Sequence, residues 1–311
     1  MNDLISQHLR KIILKSSSFE QMTDTLLYAT LPAGKLFRPN LALHLYQDLY
    51  GVEMALEELQ NIDSNISLYA CALEIHHAYT LVHDDLPAMD NDDERRGKPS
   101  VHKQFGQWQA ILAGDALLNL SHALLAGIKH QHTHQVSRFF SWALGAKGLI
   151  LGQYYDLGGE IKKDFQSLIR THELKTGRLI QASLLGPLFL AKTNVSYKQI
   201  KKYLRLGSHI GLTFQLLDDL SECLEQLSEH ERDVSPFLHF PDESFNLLEK
   251  SLNEIQVLRL EHKNTYKYLN IYLVHMKNKM SEGLEDSSSY LVKNLGQDFV
   301  SSKLRPLMST L

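Results

Sequence analysis

The densest chemistry in this chain is the run His83-Asp84-Asp85-Leu86-Pro87-Ala88-Met89-Asp90-Asn91-Asp92-Asp93-Glu94-Arg95-Arg96-Gly97-Lys98-Pro99. Six carboxylates fall within the 11 residues 84–94, directly after an apolar segment. A charge run of this kind is most often a solvated loop. Here, however, the Asp pair closes an apolar helical stretch, where ordinary surface charge is unexpected, and two arginines follow at once. Short Asp side chains suit hard divalent cations, and Mg²⁺ is usually held by one or two carboxylates plus substrate phosphates. The planar forks of Arg95 and Arg96 match phosphate oxygens. Those residue types together point to metal-assisted handling of a phosphorylated substrate. On a regular helix Asp84 and Asp90 would stand roughly 120° apart. Pro87 would also clash with the carbonyl of His83. The spacing therefore predicts a break near Pro87 that returns Asp90 toward Asp84.

A second acidic cluster lies far along the chain, Phe214-Gln215-Leu216-Leu217-Asp218-Asp219-Leu220-Ser221-Glu222. Asp218 and Glu222 are four apart and share a helix face, with Asp219 about 100° away. Alone this pattern is weak, because an acidic pair at that spacing usually faces solvent and costs only about 0.2–0.5 kcal/mol. Two Asp pairs, each ending an apolar helical run, are more specific together. Opposed across a helical cavity, they would grip a diphosphate through several Mg²⁺ ions. The cations such a substrate needs are found in Gly34-Lys35-Leu36-Phe37-Arg38-Pro39, in Arg95-Arg96 and in Lys175-Thr176-Gly177. Each alone reads as a surface charge. Lys35 and Arg38 lie three apart, just before an apolar helix that Pro39 can initiate. His77 precedes Asp84 by two turns on nearly the same face.

The elements that must position these groups are helical. Leu, Ala, Glu, Gln and Lys dominate, and only 8 of 311 residues are Pro. Leu41, Leu45 and Leu49 repeat along one helix face. Helices are expected near 67–85, 107–129, 136–157, 164–173, 176–191, 197–226 and 243–281. Those at 107–129, 136–157 and 176–191 are apolar nearly all round, which predicts central elements. Without repeats or a linker, the reading is one all-helical domain over 1–311. The stretch after Gly283, interrupted by Ser287–Ser289 and Ser301–Ser302, says little about function.

With 32 Lys+Arg against 36 Asp+Glu, the formal net charge of −4 gives no support for nucleic-acid binding. Apolar residues at 43% and charged residues at 22% indicate a globular protein. Only Cys71 and Cys223 are present, which excludes a disulfide framework and suggests a reducing, cytoplasmic setting. No signal peptide is expected in Met1–Lys15. The uncharged stretches Ala116–Ile128 and Leu179–Ala191 are shorter than the roughly 20 residues of a membrane span.

The run from His77 through Asp90, continuing to Pro99, resembles the first aspartate-rich motif of short-chain trans-polyprenyl diphosphate synthases, most of all the bacterial farnesyl diphosphate synthases. The resemblance extends to the Gly34–Pro39 element, Leu112-Ala113-Gly114-Asp115-Ala116-Leu117, Gly152-Gln153 with Asp156-Leu157, Lys175-Thr176-Gly177, and Phe214-Gln215 leading into Asp218-Asp219. It implies an all-α prenyl synthase fold, a homodimer, and an active site in a central helical cavity. It also implies that Asp84, Asp85 and Asp90 bind Mg²⁺ from one wall and Asp218 with Glu222 from the other, three ions being held with substrate. Arg95 and Lys175 would hold the allylic diphosphate, and Lys35, Arg38, His77 and Arg96 isopentenyl diphosphate. Thr176 and Gln215 would line the region where a carbocation forms. Ionisation of the allylic C–O bond, attack by the isopentenyl double bond and proton loss to the departing diphosphate would follow. Tyr79 lies five residues before Asp84, about 7.5 Å deeper along a helix. A bulky ring there would floor the cavity, and similar enzymes with an aromatic at this place stop at fifteen carbons, hence farnesyl diphosphate.

The sequence also departs from that pattern. Glu222 stands where the second motif normally ends in Asp. Cys223–Val234 reads CLEQLSEHERDV, without Gly or Lys, where relatives usually carry a Gly- and Lys-rich loop. Arg232 is the residue expected to replace the missing lysine. Leu36-Phe37 also replaces a basic-apolar pair. These changes raise a rival reading, a weakly active homologue serving as the regulatory or structural subunit of a prenyl synthase. A His-Asp metal phosphohydrolase, drawn from His76-His77 and His83-Asp84, leaves the second Asp pair and the arginines unused. A terpene cyclase would have no need for Lys35, Arg38, His77 and Arg96.

Overall fold

A computed structural model describes residues 1–285 and 290–310 of the chain. The interruption read at Ser287–Ser289 lies outside the described residues. Among the described residues the fold is all-α, and the only strands are the antiparallel pair β1 (Glu94–Arg95) and β2 (Lys98–Pro99). Packing groups the chain into two compact units, Met1–Ser141 with Ala182–Ser196, and Trp142–Gln181 with Tyr197–Leu311. No linker composition marks this division, because two of its three internal boundaries fall inside helices, α8 (Thr133–Leu144) and α11 (Arg178–Ala191), and the third at the start of α12 (Tyr197–Glu222).

The first unit contains α1 (Asn2–Ser16), α2 (Glu20–Thr30), α3 (Phe37–Tyr50), α4 (Val52–Gln60), α5 (Asn65–Asp84), α6 (Val101–Gln104), α7 (Gln107–Ala126) and the start of α8 (Thr133–Leu144). Helices α1, α2 and α4 add to those expected. The first of them buries Ile5, Leu9, Ile12 and Ile13, one stripe at helical spacing. α5 is the central element of this unit. Ser64 caps its start by accepting the amide of Ser67, and residues from Ile66 to Val82 are nearly all buried. The Tyr69 hydroxyl, deep inside, donates to the Ala182 carbonyl at 2.7 Å. α7 packs along α5 through Ala110, Ala113, Gly114, Leu117 and Ser121. Its other face exposes Trp108, Ile111 and Leu112, so this helix is not enclosed on all sides as its composition suggested.

The second unit contains α9 (Leu149–Leu157), α10 (Phe165–His172), a π-helical turn over Glu173–Gly177, the start of α11 (Arg178–Ala191), α12 (Tyr197–Glu222), α13 (Glu229–Val234), α14 (Pro236–His239), α15 (Pro241–Ile255), α16 (Leu258–Glu261) and α17 (Lys263–Glu285). The single helix expected over 136–157 is interrupted between α8 and α9, and 243–281 is divided among three helices. Gly148 permits the first break, since a Cβ there would stand 1.7 Å from the Ala143 carbonyl oxygen. α9 exposes Ile150, Tyr154 and Leu157, again against the expectation of a buried element. Leu216, Leu217, Leu220, Phe237, Leu248 and Met280 form the core beneath the second acidic cluster. No helix among the described residues is long and apolar enough to cross a membrane.

Candidate active site

In the first unit the helix ends where Pro87 required it to. α5 stops at Asp84, and the Leu86 amide donates to the His83 carbonyl at 3.1 Å. The Asp90 amide then reaches back to the Asp84 carbonyl at 2.9 Å, and Asn91 turns the chain with φ 55°. Asp84 is half-buried and Asp90 exposed. The following hairpin turns at Arg96-Gly97, both with positive φ (56° and 73°), as a two-residue turn matched to strand twist demands.

Arg95 leaves that hairpin pointing at the acidic run. Its Nε donates to Asp85 Oδ1 at 2.8 Å, and its Nη2 donates to Asp85 Oδ1 and, at 2.6 Å, to Asp92 Oδ2. Asp85 is only 2% exposed. Burial pushes its carboxyl up, and the Arg95 guanidinium pulls it back. Asp85, expected among the magnesium ligands, is therefore engaged by Arg95. It keeps one orientation because an unpaired buried carboxylate would be costly.

The basic set gathers around a residue not singled out in the sequence, Glu74 on α5. It is 2% exposed, its carboxyl raised by burial and held down by Arg38 and Arg96. The one clue was a lone carboxylate inside an otherwise apolar helix. Burial lowers Arg38 to about 10, still cationic at neutral pH, and its Nε is buried without a hydrogen-bond partner. His77 is driven well below its usual range by burial and by Arg38 and Arg96, so it is a neutral imidazole. Lys35 is exposed at the edge of this element. Tyr79 is buried, its ring edge-on to His76 at 4.6 Å and to His83 at 5.7 Å. Burial and Asp84 raise its phenol to about 12.

The second unit holds a cavity of about 280 Å³. The π turn carries Lys175 and Thr176 into it, a distortion of the kind that often marks functional helices. Two glycines let neighbours close on this turn. A Cβ at Gly152 of α9 would stand 2.3 Å from the Lys175 nitrogen, and one at Gly211 of α12 would stand 2.8 Å from the Gly177 Cα. Lys175 Nζ donates to Asp156 Oδ2 at 2.6 Å. Thr176 Oγ1 donates to Gln215 Oε1 at 3.1 Å, and Gln215 Nε2 donates to Asp219 Oδ1 at 2.9 Å. Asp219 and Glu222 line the cavity. Asp218 sits beside them, accepting from the Tyr272 hydroxyl at 3.5 Å. His172, three residues before Lys175, was also missed in the sequence, and it lines the same space. Burial lowers it to about 4.

Arg232 does not take the expected place. It is exposed, its Nε donating to the Leu227 carbonyl at 3.4 Å. Ser228 and Glu231 form a capping box that starts α13, and this phase brings Glu231 to the cavity lining instead. An acid thus stands where a base was anticipated. Burial raises Glu222, and Glu231 and Asp218 raise it further by like-charge repulsion. Burial likewise pushes Asp219 well above the usual carboxylate range.

These donors fit magnesium. They are oxygen ligands, they repel one another without a cation, and Asp219 Oδ2 is buried with no hydrogen-bond partner. Among the described residues no three candidate ligands converge. The oxygen donors suited to magnesium are Asp84 and Asp90 within the first unit and, separately, Asp218 and Glu222 within the second. His76, drawn on by the rival metal reading, is buried in the first unit. His76 Nδ1 lies 3.2 Å from Ser121 Oγ, and burial with His122 lowers the ring to about 3.

An all-helical scaffold with Asp-rich segments, guanidinium groups beside buried carboxylates and an uncharged hydroxyl–amide pair near a lysine carries the donors and acceptors that a diphosphate and its metal would use. Residues 19–235 match the family model described as Polyprenyl synthetase. The geranylgeranyl diphosphate synthase of Cyanophora paradoxa is 34% identical over 79% of this chain and 81% of its own length. The farnesyl diphosphate synthase of Geobacillus stearothermophilus is also 34% identical, over 64% of this chain and 65% of its own length, just under two thirds of that relative. The crystal structure of a geranyltransferase from Helicobacter pylori complexed with magnesium and isoprenyl diphosphate superposes with TM-score 0.70 at 26% identity, covering 90% of this chain and 97% of that one. The chain belongs to the polyprenyl synthetase family, among the short-chain trans-prenyl diphosphate synthases.

Proposed function

We propose that the chain is a trans-prenyltransferase that condenses isopentenyl diphosphate with dimethylallyl or geranyl diphosphate to give farnesyl diphosphate. The observation that carries this reading is the second-unit cavity, where Lys175 stands beside the uncharged Thr176–Gln215 pair. A cation binds the leaving diphosphate, and neutral oxygens face the carbon left behind. Lys175 and Arg95 hold the allylic diphosphate, while Lys35, Arg38, Arg96 and neutral His77 hold isopentenyl diphosphate. Asp84, Asp90, Asp218 and Glu222 supply magnesium ligands, three ions with substrate bound. When bound, Mg²⁺ neutralises the charge that develops on the leaving oxygen. The C–O bond breaks, the isopentenyl double bond attacks the cation, and the departed diphosphate takes the proton. Exclusion of water protects the cation.

Farnesyl rather than a longer product is supported by Tyr79, a buried ring braced by His76 and His83. The exposed Trp108, Ile111 and Leu112 of α7 support a homodimer, and the two buried free thiols suit the cytoplasm. The test is product analysis after incubation with Mg²⁺, isopentenyl diphosphate and geranyl diphosphate. A fifteen-carbon product is expected, and Tyr79→Ala should lengthen it; an unchanged fifteen-carbon product would dispose of the floor. Glu231 at the cavity favours a second reading, the weakly active subunit, which an absence of carbon–carbon bond formation would support.

A further inference from the structure

Beside the two arginines of the hairpin stands a third cation, Lys98, and its ammonium is already engaged. Lys98 Nζ donates to the Tyr28 carbonyl at 2.6 Å and to the Leu31 carbonyl at 3.1 Å, both at the C-terminal end of α2. The Tyr28 carbonyl needs an outside donor, because a continuing helix would offer it the amide of residue 32, and Pro32 has none. A cation is also favoured at a helix C-terminus. The same ammonium stands 3.8 Å from the centroid of the Tyr28 ring, whose hydroxyl donates to the Pro99 carbonyl at 2.7 Å. Phe105 meets that ring edge-on at 5.1 Å. Strand β2 is thereby fastened to α2. The fastening matters because strands of two residues do not hold a hairpin by themselves. Arg95 faces Lys98 across the ladder, and Arg96 sits in the turn between them. Arg95 has anchors of its own in Asp85 and Asp92. Arg96 is held less directly. Its Nη1 donates to the Pro32 carbonyl at 3.4 Å, and its guanidinium lies on Gly34, where a Cβ would stand 2.9 Å from Cζ.

We propose that Lys98, clasped by Tyr28, is a positioning residue that sets Arg96 beside the segment carrying Lys35 and Arg38, so that these cations receive one diphosphate together. Lys98 binds no phosphate itself, because its donors and its charge are committed to the end of α2. This rests on the reading above in which Arg96 holds isopentenyl diphosphate, and it gives a role to a lysine that the reading leaves without one. The gain is preorganisation: cations fixed before substrate arrives lose less freedom on binding.

The contrast between the two substrates tests this. Isopentenyl diphosphate, and separately geranyl diphosphate with Mg²⁺, are titrated calorimetrically into the full chain. Lys98→Met keeps the stem and loses the donors, and it should weaken isopentenyl diphosphate about 10-fold, the scale of one hydrogen bond to a charged group. Geranyl diphosphate should change by less than about 2-fold, because Arg95 keeps Asp85 and Asp92. Lys98→Met combined with Arg96→Gln should bind isopentenyl diphosphate no more weakly than Arg96→Gln alone, whereas a lysine touching phosphate would add its own loss. Lys98→Arg keeps charge, donors and ring contact, and should restore affinity to within about 2-fold. In steady state the loss should appear in KM for isopentenyl diphosphate with kcat nearly unchanged. Additive losses, equal losses for both diphosphates, or unchanged isopentenyl diphosphate binding in Lys98→Met would each overturn the proposal. A second measurement needs no substrate. Trypsin cleavage after Arg96 in the ligand-free chain should be about 10-fold faster in Lys98→Met, because the unfastened hairpin opens more often; an unchanged rate would overturn the fastening. If Lys98→Met does not fold, Tyr28→Phe, which removes the hydroxyl bond to Pro99, enters both measurements with changes of about 3-fold expected, and no change would overturn the proposal. A wild type that binds no isopentenyl diphosphate, with cleavage still accelerated in Lys98→Met, would sink the assignment of Arg96 to that substrate and leave the fastening. Normal binding with unchanged cleavage would sink only the fastening.

Discussion

The two Asp-rich segments use the same residue types and are built in opposite ways. Asp84-Asp85 terminates α5 and opens into a hairpin, and the buried member, Asp85, is met by Arg95. Asp218-Asp219 lies within α12, where the buried member, Asp219, has no cation on it and stands near Glu222 and Glu231. A carboxylate already matched by a guanidinium contributes to holding its loop. Carboxylates that raise one another's pKa are instead waiting for a cation. Of two identical dipeptides, one has its buried member paired with a guanidinium and the other has its buried member among like charges.

The sharpest way to break that contrast is to neutralise one acid in each region. Asp218→Asn should lower kcat by about 1000-fold while leaving the melting temperature nearly unchanged, since it removes a group needed for charge stabilisation in the reaction. Asp85→Asn should instead lower stability by about 2 kcal/mol in denaturant unfolding, less than a fully buried pair because Arg95 is one-third exposed. Equal effects of the two variants on the Mg²⁺ requirement would erase the distinction. A smaller effect is expected of Glu231→Lys, which restores a base to the cavity. It should lower KM for the allylic diphosphate about 5- to 10-fold, the scale of one charge-assisted contact, and a raised KM would show that Glu231 itself serves substrate.

The smallest effect concerns histidines. Burial lowers His76 to about 3 and His172 to about 4 from the ordinary 6.5. A depressed pKa means the unfolded chain binds protons that the folded chain refuses. Each ring's contribution is therefore present above pH about 6.5 and lost as pH falls toward the folded value. Thermal unfolding between pH 7 and 4 should show this fall, and His76→Asn should reduce its slope; an unchanged slope would mean that the His76 ring is not held neutral.

Part of this was legible in the amino-acid order. Pro87 forbids a continuing helix, so the return of Asp90 to the end of α5 followed from local sterics. The helical character of most segments followed from composition and apolar rhythm. Helices α1, α2 and α4 were not read, because short stripes mixed with polar residues give a weak periodic signal. The π turn at Lys175 was also hidden, since the close approach of α9 and α12 to it, at Gly152 and Gly211, is not a property of local order.

By itself the sequence determined which groups this protein has to work with, and where along each helix they stand, because backbone sterics and helical period act over a few residues. Only the tertiary structure decided which carboxylate meets a guanidinium, which histidine is stripped of its proton, and that Glu231 rather than Arg232 reaches the cavity. Those outcomes depend on burial and on the field of distant neighbours, and neither is a property of local order in the chain.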